Sequence, residues 1–350
     1  MSKVRFPVLR SIISSCAALT ITACVVTSLN VRAASFEYLQ PLPEKPLVQD
    51  NNPQTDKKIQ LGKKLFFDTR LSGNNQVSCN NCHQLNDSGV QTQAYRVTIS
   101  GKTIKRNPPT LLNIGLQTVL YWDGRSSSLE AQALDHLQDP NILGNTNSKS
   151  IIDRLSKDVD YMKLFMNAFD SAHPMTLENI TKALASFQRA LMTPNSPFDQ
   201  FITGDETAIS GKAKAGIRLF NETGCLACHF GVNFAGPAPG PAMGMGDGFY
   251  ELFPNNLGSN YDKSYKLVDD LGRYEFSNDP SEKYMWRVPS LRNIALTAPY
   301  FHNGSAKTLH EAVKIMAKTQ TDKVLTPNEL DAVVEFLKTL TGDTPTILQR

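Results

Sequence analysis

The chain of 350 residues is 41% hydrophobic and carries 36 basic against 33 acidic residues, a formal net charge of +3. So small a charge gives no reason to expect a nucleic-acid partner. The length exceeds what one hydrophobic core usually organises, and it allows two domains.

The first 34 residues predict an export signal. A basic start is followed by an apolar stretch at residues 12–26, and Ala33 with Ala34 offers a cleavage site. The stretch is short for a membrane span; an uncleaved anchor and lipid attachment at Cys24 are the alternatives. All of these place the rest of the chain outside the cytoplasm. We therefore expect a periplasmic protein, tethered to the membrane if Cys24 carries a lipid.

Two matching motifs hold every cysteine that follows this segment. Cys79, Cys82 and His83 form the first C-x-x-C-H, and Cys225, Cys228 and His229 form the second. This spacing is typical of c-type haem attachment, in which two thioethers hold the porphyrin and the histidine binds the iron. One match could belong to a zinc or disulfide site, but two matches in an exported chain favour two covalent haem c groups. No cysteine remains for a structural disulfide.

Hydrophobic periodicity predicts a mainly helical protein. Apolar residues at helical spacing over 180–191 and 333–340 predict two helices, and Thr326 with Glu329 predicts a capping box before the second. No long alternating strand pattern is present. Residues 192–197 are rich in turn formers and predict the linker between the domains.

The sequence also repeats itself. Residues 62–66 before the first motif resemble residues 216–220 before the second, and residues 109–114 reappear at 289–294, an offset of 180. This pattern indicates duplication of a single-haem unit. We expect two cytochrome c-like domains, each around one covalent haem. Their boundaries are predicted at 35–195 for the N-terminal domain and 196–350 for the C-terminal domain.

On these motifs the chain resembles the bacterial di-haem cytochrome c peroxidase family, which includes the MauG-type enzymes. Further markers are found at residues 65–72, 106–110, 122–125 and 299–304. The resemblance implies that the N-terminal haem reacts with hydrogen peroxide. The C-terminal haem would accept electrons from a small cytochrome c or a copper protein.

The resemblance also implies roles for residues around the C-terminal haem. Met316 stands where the peroxidases place the second axial ligand and MauG-type enzymes have a tyrosine; packing in a helix is the alternative. Trp122 resembles a tryptophan that assists electron transfer between the haems. Arg273 is expected at a haem propionate, with a surface salt bridge as the alternative.

A calcium site between the domains is implied in the same way. Asn107, Thr297 and Pro299 match its positions, and oxygen ligands suit this hard cation. For Thr297 and Pro299 the ligands would be backbone carbonyls.

The chain departs from the family pattern around the N-terminal haem. Many members carry a histidine eight residues before Asn107, which caps this haem; here that residue is Ile99. The family also places a catalytic glutamate ten residues after a glutamine that Gln132 matches; here that residue is Ile142. The cap and the usual carboxylate are both absent.

His136 offers an explanation for both losses. It lies four residues after Gln132, on the same helix face, and at the offset of 180 it coincides with Met316. We infer that His136 points at the distal face of the N-terminal iron. It would act there as the acid–base group or bind the iron directly; an ordinary hydrogen-bonded or surface histidine is the third interpretation.

The sequence thus predicts a periplasmic di-haem peroxidase that uses Gln132, His136 and Trp122. Two alternatives stay open. The first is a MauG-like enzyme that oxidises side chains of a partner protein, and the second is a non-catalytic di-haem electron carrier. A homodimer is also left open.

Overall fold

A computed structural model describes residues 39–47, 49–85, 99–101, 104–145, 147–236 and 250–349. The expected export signal, with Cys24, lies outside the described residues. Within these ranges, no helix is both long enough and apolar enough to cross a bilayer.

The first half of the described chain is helical. Its helices are α1 (Asp56–Phe67), α2 (Cys79–Cys82), α3 (Leu129–Gln138), α4 (Ser148–Leu155), α5 (Val159–Ala168) and α6 (Leu177–Arg189). Helices α1, α3 and α6 begin after Thr55, Ser128 and Thr176, whose side-chain oxygens accept hydrogen bonds from backbone amides of the first turn. These bonds satisfy donors that the start of a helix leaves unpaired. The helix predicted over 180–191 is confirmed as α6.

The second half repeats this helical character. Its helices are α7 (Pro197–Ile202), α8 (Gly211–Glu222), α9 (Asn260–Ser264), α10 (Tyr274–Ser277), α11 (Leu309–Thr321) and α12 (Pro327–Lys338). The capping box of Thr326 and Glu329 is confirmed at the start of α12. The antiparallel strands β1 (Tyr250–Leu252) and β2 (Met285–Arg287) are too short for an alternating pattern to reveal.

Both halves are organised by one close helix crossing. In the first half, a Cβ on Gly62 of α1 would lie 1.9 Å from the carbonyl oxygen of Ala183 in α6. In the second half, a Cβ on Gly216 of α8 would lie 2.0 Å from the carbonyl oxygen of Ala332 in α12. Only glycine lets the backbones approach this closely. The repeated segments found in the sequence therefore mark the same packing event in each half.

The two halves meet at Thr193, inside the predicted linker. The side-chain amides of Asn113 and Asn293 each donate to Thr193 Oγ1 at 2.7 Å. Both asparagines adopt the left-handed backbone conformation, with φ of 58° and 59°. Equivalent residues of the repeat therefore share one buried hydroxyl.

The end of the described chain returns to the first half. Ile347 and Leu348 pack against the hydrophobic core around α1 and α6, and Lys63 Nζ donates to the carbonyl of Ile347 at 2.6 Å. A mainly α fold is thus built from two similar units that share side-chain contacts.

Candidate active site

Each C-x-x-C-H motif presents its histidine with one ring nitrogen already engaged. His83 Nδ1 lies 3.2 Å from the carbonyl oxygen of Pro109. His229 Nδ1 lies 2.9 Å from the carbonyl oxygen of Phe234. A backbone acceptor at Nδ1 fixes the tautomer in which Nε2 has its lone pair available for a metal. Burial lowers the pKa of His229, which also favours the neutral ligand form.

The cysteines are suited to covalent attachment. None of the four described cysteines forms a disulfide. Burial and the neighbouring Cys82 raise the pKa of Cys79 to about 12, and burial followed by Glu251 raises the pKa of Cys228 to about 11. These sulfurs are therefore neutral and lie beside apolar cavities, an environment that fits thioether bonds to a porphyrin better than a thiolate metal site.

Each motif opens on its own cavity. The first has a volume of about 1000 Å³, and its lining includes His83, Gln132 and His136. The second has a volume of about 360 Å³, and its lining includes His229 and Met316. The structure therefore brings each proximal histidine and its predicted distal residue to a common cavity. The chemistry of these residues fits haem; ligation by Met316 stays a prediction.

Helix α3 determines how His136 faces the first cavity. Its Nδ1 lies 3.1 Å from the backbone carbonyl of Gln132, one turn earlier, and also contacts the side-chain amide of Gln132. Nε2 is then the ring nitrogen that remains for the cavity. Burial is the main cause that lowers the pKa of His136 to about 4. This histidine is neutral at pH 7.

The two departures from the family pattern have visible structural counterparts. Ile99 packs on Gly144, where an added Cβ would lie 2.7 Å from Ile99 Cδ1. Ile142 lines the first cavity. An aliphatic side chain thus takes the place of the usual glutamate.

Trp122 lies between the two cavities and lines both. His302, its equivalent at the offset of 180, also lines both, and the two rings meet edge to face with centroids 6.5 Å apart. The indole nitrogen of Trp122 donates to the carbonyl of Asn107 at 2.6 Å. Aromatic groups from equivalent positions of the repeat therefore separate the cavities.

The backbone around this aromatic pair is bonded reciprocally. The amide of Asn107 donates to the carbonyl of His302 at 2.6 Å, and the amide of Arg287 donates to the carbonyl of Trp122 at 2.9 Å. Asn107 and Arg287 are themselves 180 residues apart. Each half thus uses the same pair of positions to bind the other.

His302 was not identified from the sequence. Its ring stacks on Trp286 at a centroid distance of 4.2 Å, and burial lowers its pKa to about 4. Nε2 of His302 is buried with no hydrogen-bond partner among the described residues. An orphaned polar atom between two cavities is consistent with a bound group that carries polar substituents, as haem does.

A partly buried ionic network beside the first cavity was also missed. Arg106 bonds both carboxylate oxygens of Asp270 at 2.8 Å and one oxygen of Asp123 at 2.5 Å. The Arg106–Asp270 partners lie 164 residues apart in sequence, so no local pattern could reveal them. Arg106 lines the first cavity.

The structure places Arg273 outside the lining of both cavities as described. Its Nε pairs with Glu282 at 2.9 Å, and its Nη1 donates to the carbonyl of Asp123 at 3.0 Å. This is the salt bridge given above as the alternative. The propionate contact of Arg273 stays a prediction.

The three predicted calcium residues lie close to one another in the fold. The side-chain amide of Asn107 is 2.8 Å from the carbonyl oxygen of Pro299, and Thr297 lines the second cavity with both of them. Within the described ranges, no cluster of three or more His, Cys, Asp or Glu residues is arranged to hold a metal ion. The calcium site therefore stays a prediction that depends on carbonyl ligands.

Tyr121 is a further residue of the first cavity that the sequence reasoning missed. Its ring lies 5.4 Å from that of His136, and its hydroxyl lies 3.5 Å from the backbone carbonyl of Gln132. The guanidinium of Arg125 lies over the ring, 3.4 Å from its centroid. The signal was available, because Phe301 stands at the same place in the repeat.

Known proteins resemble this chain over most of its length. A family model described as di-haem cytochrome c peroxidase matches residues 56–207, and a cytochrome c model matches residues 213–341. Cytochrome c551 peroxidase of Pseudomonas aeruginosa is 34% identical over 309 residues, which cover 88% of this chain and 85% of that protein. Methylamine utilization protein MauG of Methylorubrum extorquens is 34% identical over 305 residues, covering 85% and 80%.

A solved structure agrees with these matches. The crystal structure of a MauG-like protein associated with microbial copper homeostasis superposes with a TM-score of 0.74 at 27% identity. The superposition covers 88% of this chain and 97% of that one. The helical architecture of both halves is therefore shared with this solved relative.

Proposed function

Because the chain belongs to the di-haem cytochrome c peroxidase family, we propose that it is a periplasmic enzyme that reduces hydrogen peroxide to water. A small cytochrome c or a copper protein would supply the electrons. The observation that carries the proposal is the contrast between two cavities that share Trp122. Gln132 and His136 line the first, whereas Met316 lines the second.

Each C-x-x-C-H motif would hold one haem c, with His83 and His229 as the proximal ligands. When bound, these groups supply the iron chemistry that takes up single electrons and reduces peroxide. Met316 would provide the second axial ligand in the C-terminal cavity. A thioether favours the reduced iron and raises its potential, which suits the entry point for electrons.

The polar side chains of the first cavity would manage the protons. Reduction of one peroxide consumes two electrons and two protons and yields two waters. A proton must move from one peroxide oxygen to the other before the O–O bond is broken. A positioned base can carry this proton. His136, neutral at pH 7, can accept this proton at Nε2 and return it. Gln132 would hold the imidazole in place through Nδ1 and orient the peroxide.

Trp122 would carry electrons from the second cavity to the first, because it lines both. Calcium, bound by Asn107 and the carbonyls of Thr297 and Pro299, would stabilise the backbone that holds Trp122. The 2.6 Å bond from the indole to the carbonyl of Asn107 connects these two roles. Removal of calcium by a chelator should then slow electron transfer between the haems without releasing either haem.

Low-temperature EPR of the fully oxidised protein is the first experiment. One high-spin signal is the expected result, with His136 off the iron and a site that is open without prior reduction. Two low-spin signals would mean that His136 binds the iron, that the acid–base role is wrong in the resting state, and that reductive release must precede turnover.

Steady-state kinetics test the role of His136 directly. Replacement His136→Ala should lower kcat for peroxide-dependent oxidation of a reduced small cytochrome c by about 10²-fold or more, the usual contribution of a general acid–base group. His173→Ala is the matched control, because His173 is solvent-exposed. Unchanged turnover and unchanged spectra in His136→Ala would contradict the proposed role.

A MauG-like activity is the second candidate, and the absence of a capping histidine at Ile99 favours it. Such an enzyme would oxidise side chains of a partner protein rather than a small cytochrome. Rapid oxidation of a reduced cytochrome by peroxide would decide for the peroxidase. Failure to bind cyanide or to react with peroxide in any redox state would instead indicate an electron carrier. Release of the protein by osmotic shock tests the periplasmic location.

A further inference from the structure

Tyr121 and Phe301 occupy the same position in the two repeats. Both have a positive φ, 67° for Tyr121 and 71° for Phe301, which is uncommon for bulky residues. Tyr121 lines the first cavity and Phe301 lines the second. The repeat thus places an aromatic ring at each cavity, and only the first ring carries a hydroxyl.

The hydroxyl oxygen of Tyr121 interacts with the side chain of Arg125, but the hydroxyl proton has only a distant acceptor. Its contact with the carbonyl of Gln132, at 3.5 Å, is at the outer limit of a hydrogen bond. A partly buried phenol with so long a contact gains by donating to a better acceptor. Gln132 and His136, the neighbours of this hydroxyl, line the same cavity.

Arg125 determines what chemistry the phenol can perform. Its guanidinium lies over the Tyr121 ring at 3.4 Å from the centroid. A cation in this position withdraws electron density, so it strengthens the O–H as a donor and opposes loss of an electron from the ring. Burial raises the pKa of Tyr121, so the proton stays on the oxygen. These features favour hydrogen-bond donation over a redox role.

We propose that the Tyr121 hydroxyl donates a hydrogen bond to the ligand held in the first cavity, as a third distal group beside Gln132 and His136. The inference rests on the proposed function, in which that ligand is peroxide. No covalent bond of Tyr121 is made or broken. The hydroxyl stabilises a ligand atom that carries negative charge, as an oxyanion donor does.

Ligand binding to the haem-loaded protein tests this role without turnover. Fluoride and imidazole are titrated at pH 7 into His136→Ala and into the double variant His136→Ala, Tyr121→Phe, and binding is followed by optical spectra. The His136→Ala background removes any competition from that histidine. Fluoride accepts a hydrogen bond from a distal donor, whereas imidazole bound through its nitrogen offers no acceptor.

Loss of the hydroxyl should weaken fluoride binding about tenfold or more, the usual effect of a hydrogen bond to a charged group, and should change imidazole binding by less than about twofold. Tyr274→Phe is the control, because Tyr274 lines neither cavity. Equal effects on both ligands would mean a purely structural role and would overturn the proposal. So would unchanged fluoride affinity, or failure of fluoride to bind the His136→Ala protein.

The failure of this inference is distinguishable from failure of the proposed function. A protein that binds fluoride through Tyr121 but does not reduce peroxide would contradict only the peroxidase assignment. A protein that reduces peroxide while Tyr121→Phe leaves fluoride affinity unchanged would contradict only the role of Tyr121.

Discussion

The two halves of this molecule share a scaffold and differ in the side chains that the scaffold presents. Gly62 and Gly216 make the same helix crossing, and an added Cβ on either would lie 1.9 or 2.0 Å from a facing carbonyl oxygen. Yet at the offset of 180, Gln132 corresponds to Ala312 and His136 to Met316. The first cavity has a glutamine and a histidine at these positions, and the second has an alanine and a methionine thioether.

The cavity volumes differ in the same direction. About 1000 Å³ is available beside the first motif and about 360 Å³ beside the second. The first cavity therefore offers more space beside its motif than the second. A duplicated fold can therefore separate substrate binding from electron entry by changing a few distal residues and leaving the helix packing unchanged.

The largest effect should come from breaking the shared crossing. Gly62→Ala and Gly216→Ala should each lower the free energy of unfolding by about 3 kcal/mol, because the new methyl group overlaps a backbone carbonyl that cannot move independently. Urea unfolding of the haem-loaded protein measures this. Gly211→Ala, with open space around it, should be neutral or slightly stabilising. Tolerance of either Gly62→Ala or Gly216→Ala would mean that the halves do not depend on the same packing.

Replacement of Met316 should change the reduction potential of the C-terminal haem. Met316→His should lower the reduction potential of the C-terminal haem by at least about 100 mV, a small part of the ~0.8 V range that axial ligation spans. Spectroelectrochemical titration is the measurement. Met316→Leu separates loss of the thioether from gain of the imidazole. A potential unchanged in both variants would show that Met316 only packs in the helix.

The next largest effect is expected at Thr193, where the two halves meet. Thr193→Val removes the acceptor shared by Asn113 and Asn293, and it should cost about 2 kcal/mol because two buried amides lose a partner. Thermal unfolding should remain a single transition if other contacts still couple the halves. Thr346→Val, at an exposed site, is the control. Two resolved transitions in Thr193→Val would identify this hydroxyl as the main coupling between the domains.

The smallest effect is expected from an ion pair of the first half. Asp68 accepts from Arg70 and from the hydroxyl of Tyr161, at 2.7 and 2.6 Å, whereas Glu222, its counterpart at the end of α8, is exposed. Burial alone would raise the pKa of Asp68, but the hydrogen bonds from Arg70 and Tyr161 lower it below its ordinary value. Asp68→Asn should therefore cost about 1–2 kcal/mol at pH 7.

The pH dependence has a defined sign. A depressed carboxyl pKa gives stability that is present above the ordinary pKa and is lost as pH falls through the folded-state value. The difference in melting temperature between the wild type and Asp68→Asn should thus shrink below about pH 4. Glu222→Gln should show no such change. A difference that stays constant in acid would exclude the ionic contribution of Asp68.

Local patterns and the internal repeat predicted much of this arrangement. The cysteine spacing identified both motifs, and helical periodicity identified α6 and α12. Comparison of the repeats at the offset of 180 predicted that His136 faces the first haem site, and His136 lines the first cavity. These features depend on residues close in sequence or on direct comparison of the two repeats. They do not require knowledge of how distant segments pack.

Other features depend on long-range contacts that no local pattern encodes. The pairing of Arg106 with Asp270 spans 164 residues, and the stack of His302 on Trp286 brings a turn against strand β2. The salt bridge of Arg273 with Glu282 likewise depends on the loop geometry between them. Tyr121 is different, because comparison with Phe301 would have singled out its hydroxyl from the sequence alone.

The reciprocal bonds at the centre of the molecule have an evolutionary consequence. The bond from Asn107 to His302 and the bond from Arg287 to Trp122 are the same bond seen from each repeat. Interfaces in which residue i meets j while j meets i are the rule for two-fold symmetric homodimers. A single-haem ancestor that associated with itself through this surface, followed by gene fusion, would leave this geometry. In this chain the two repeats contact each other within one polypeptide as the subunits of such a dimer do.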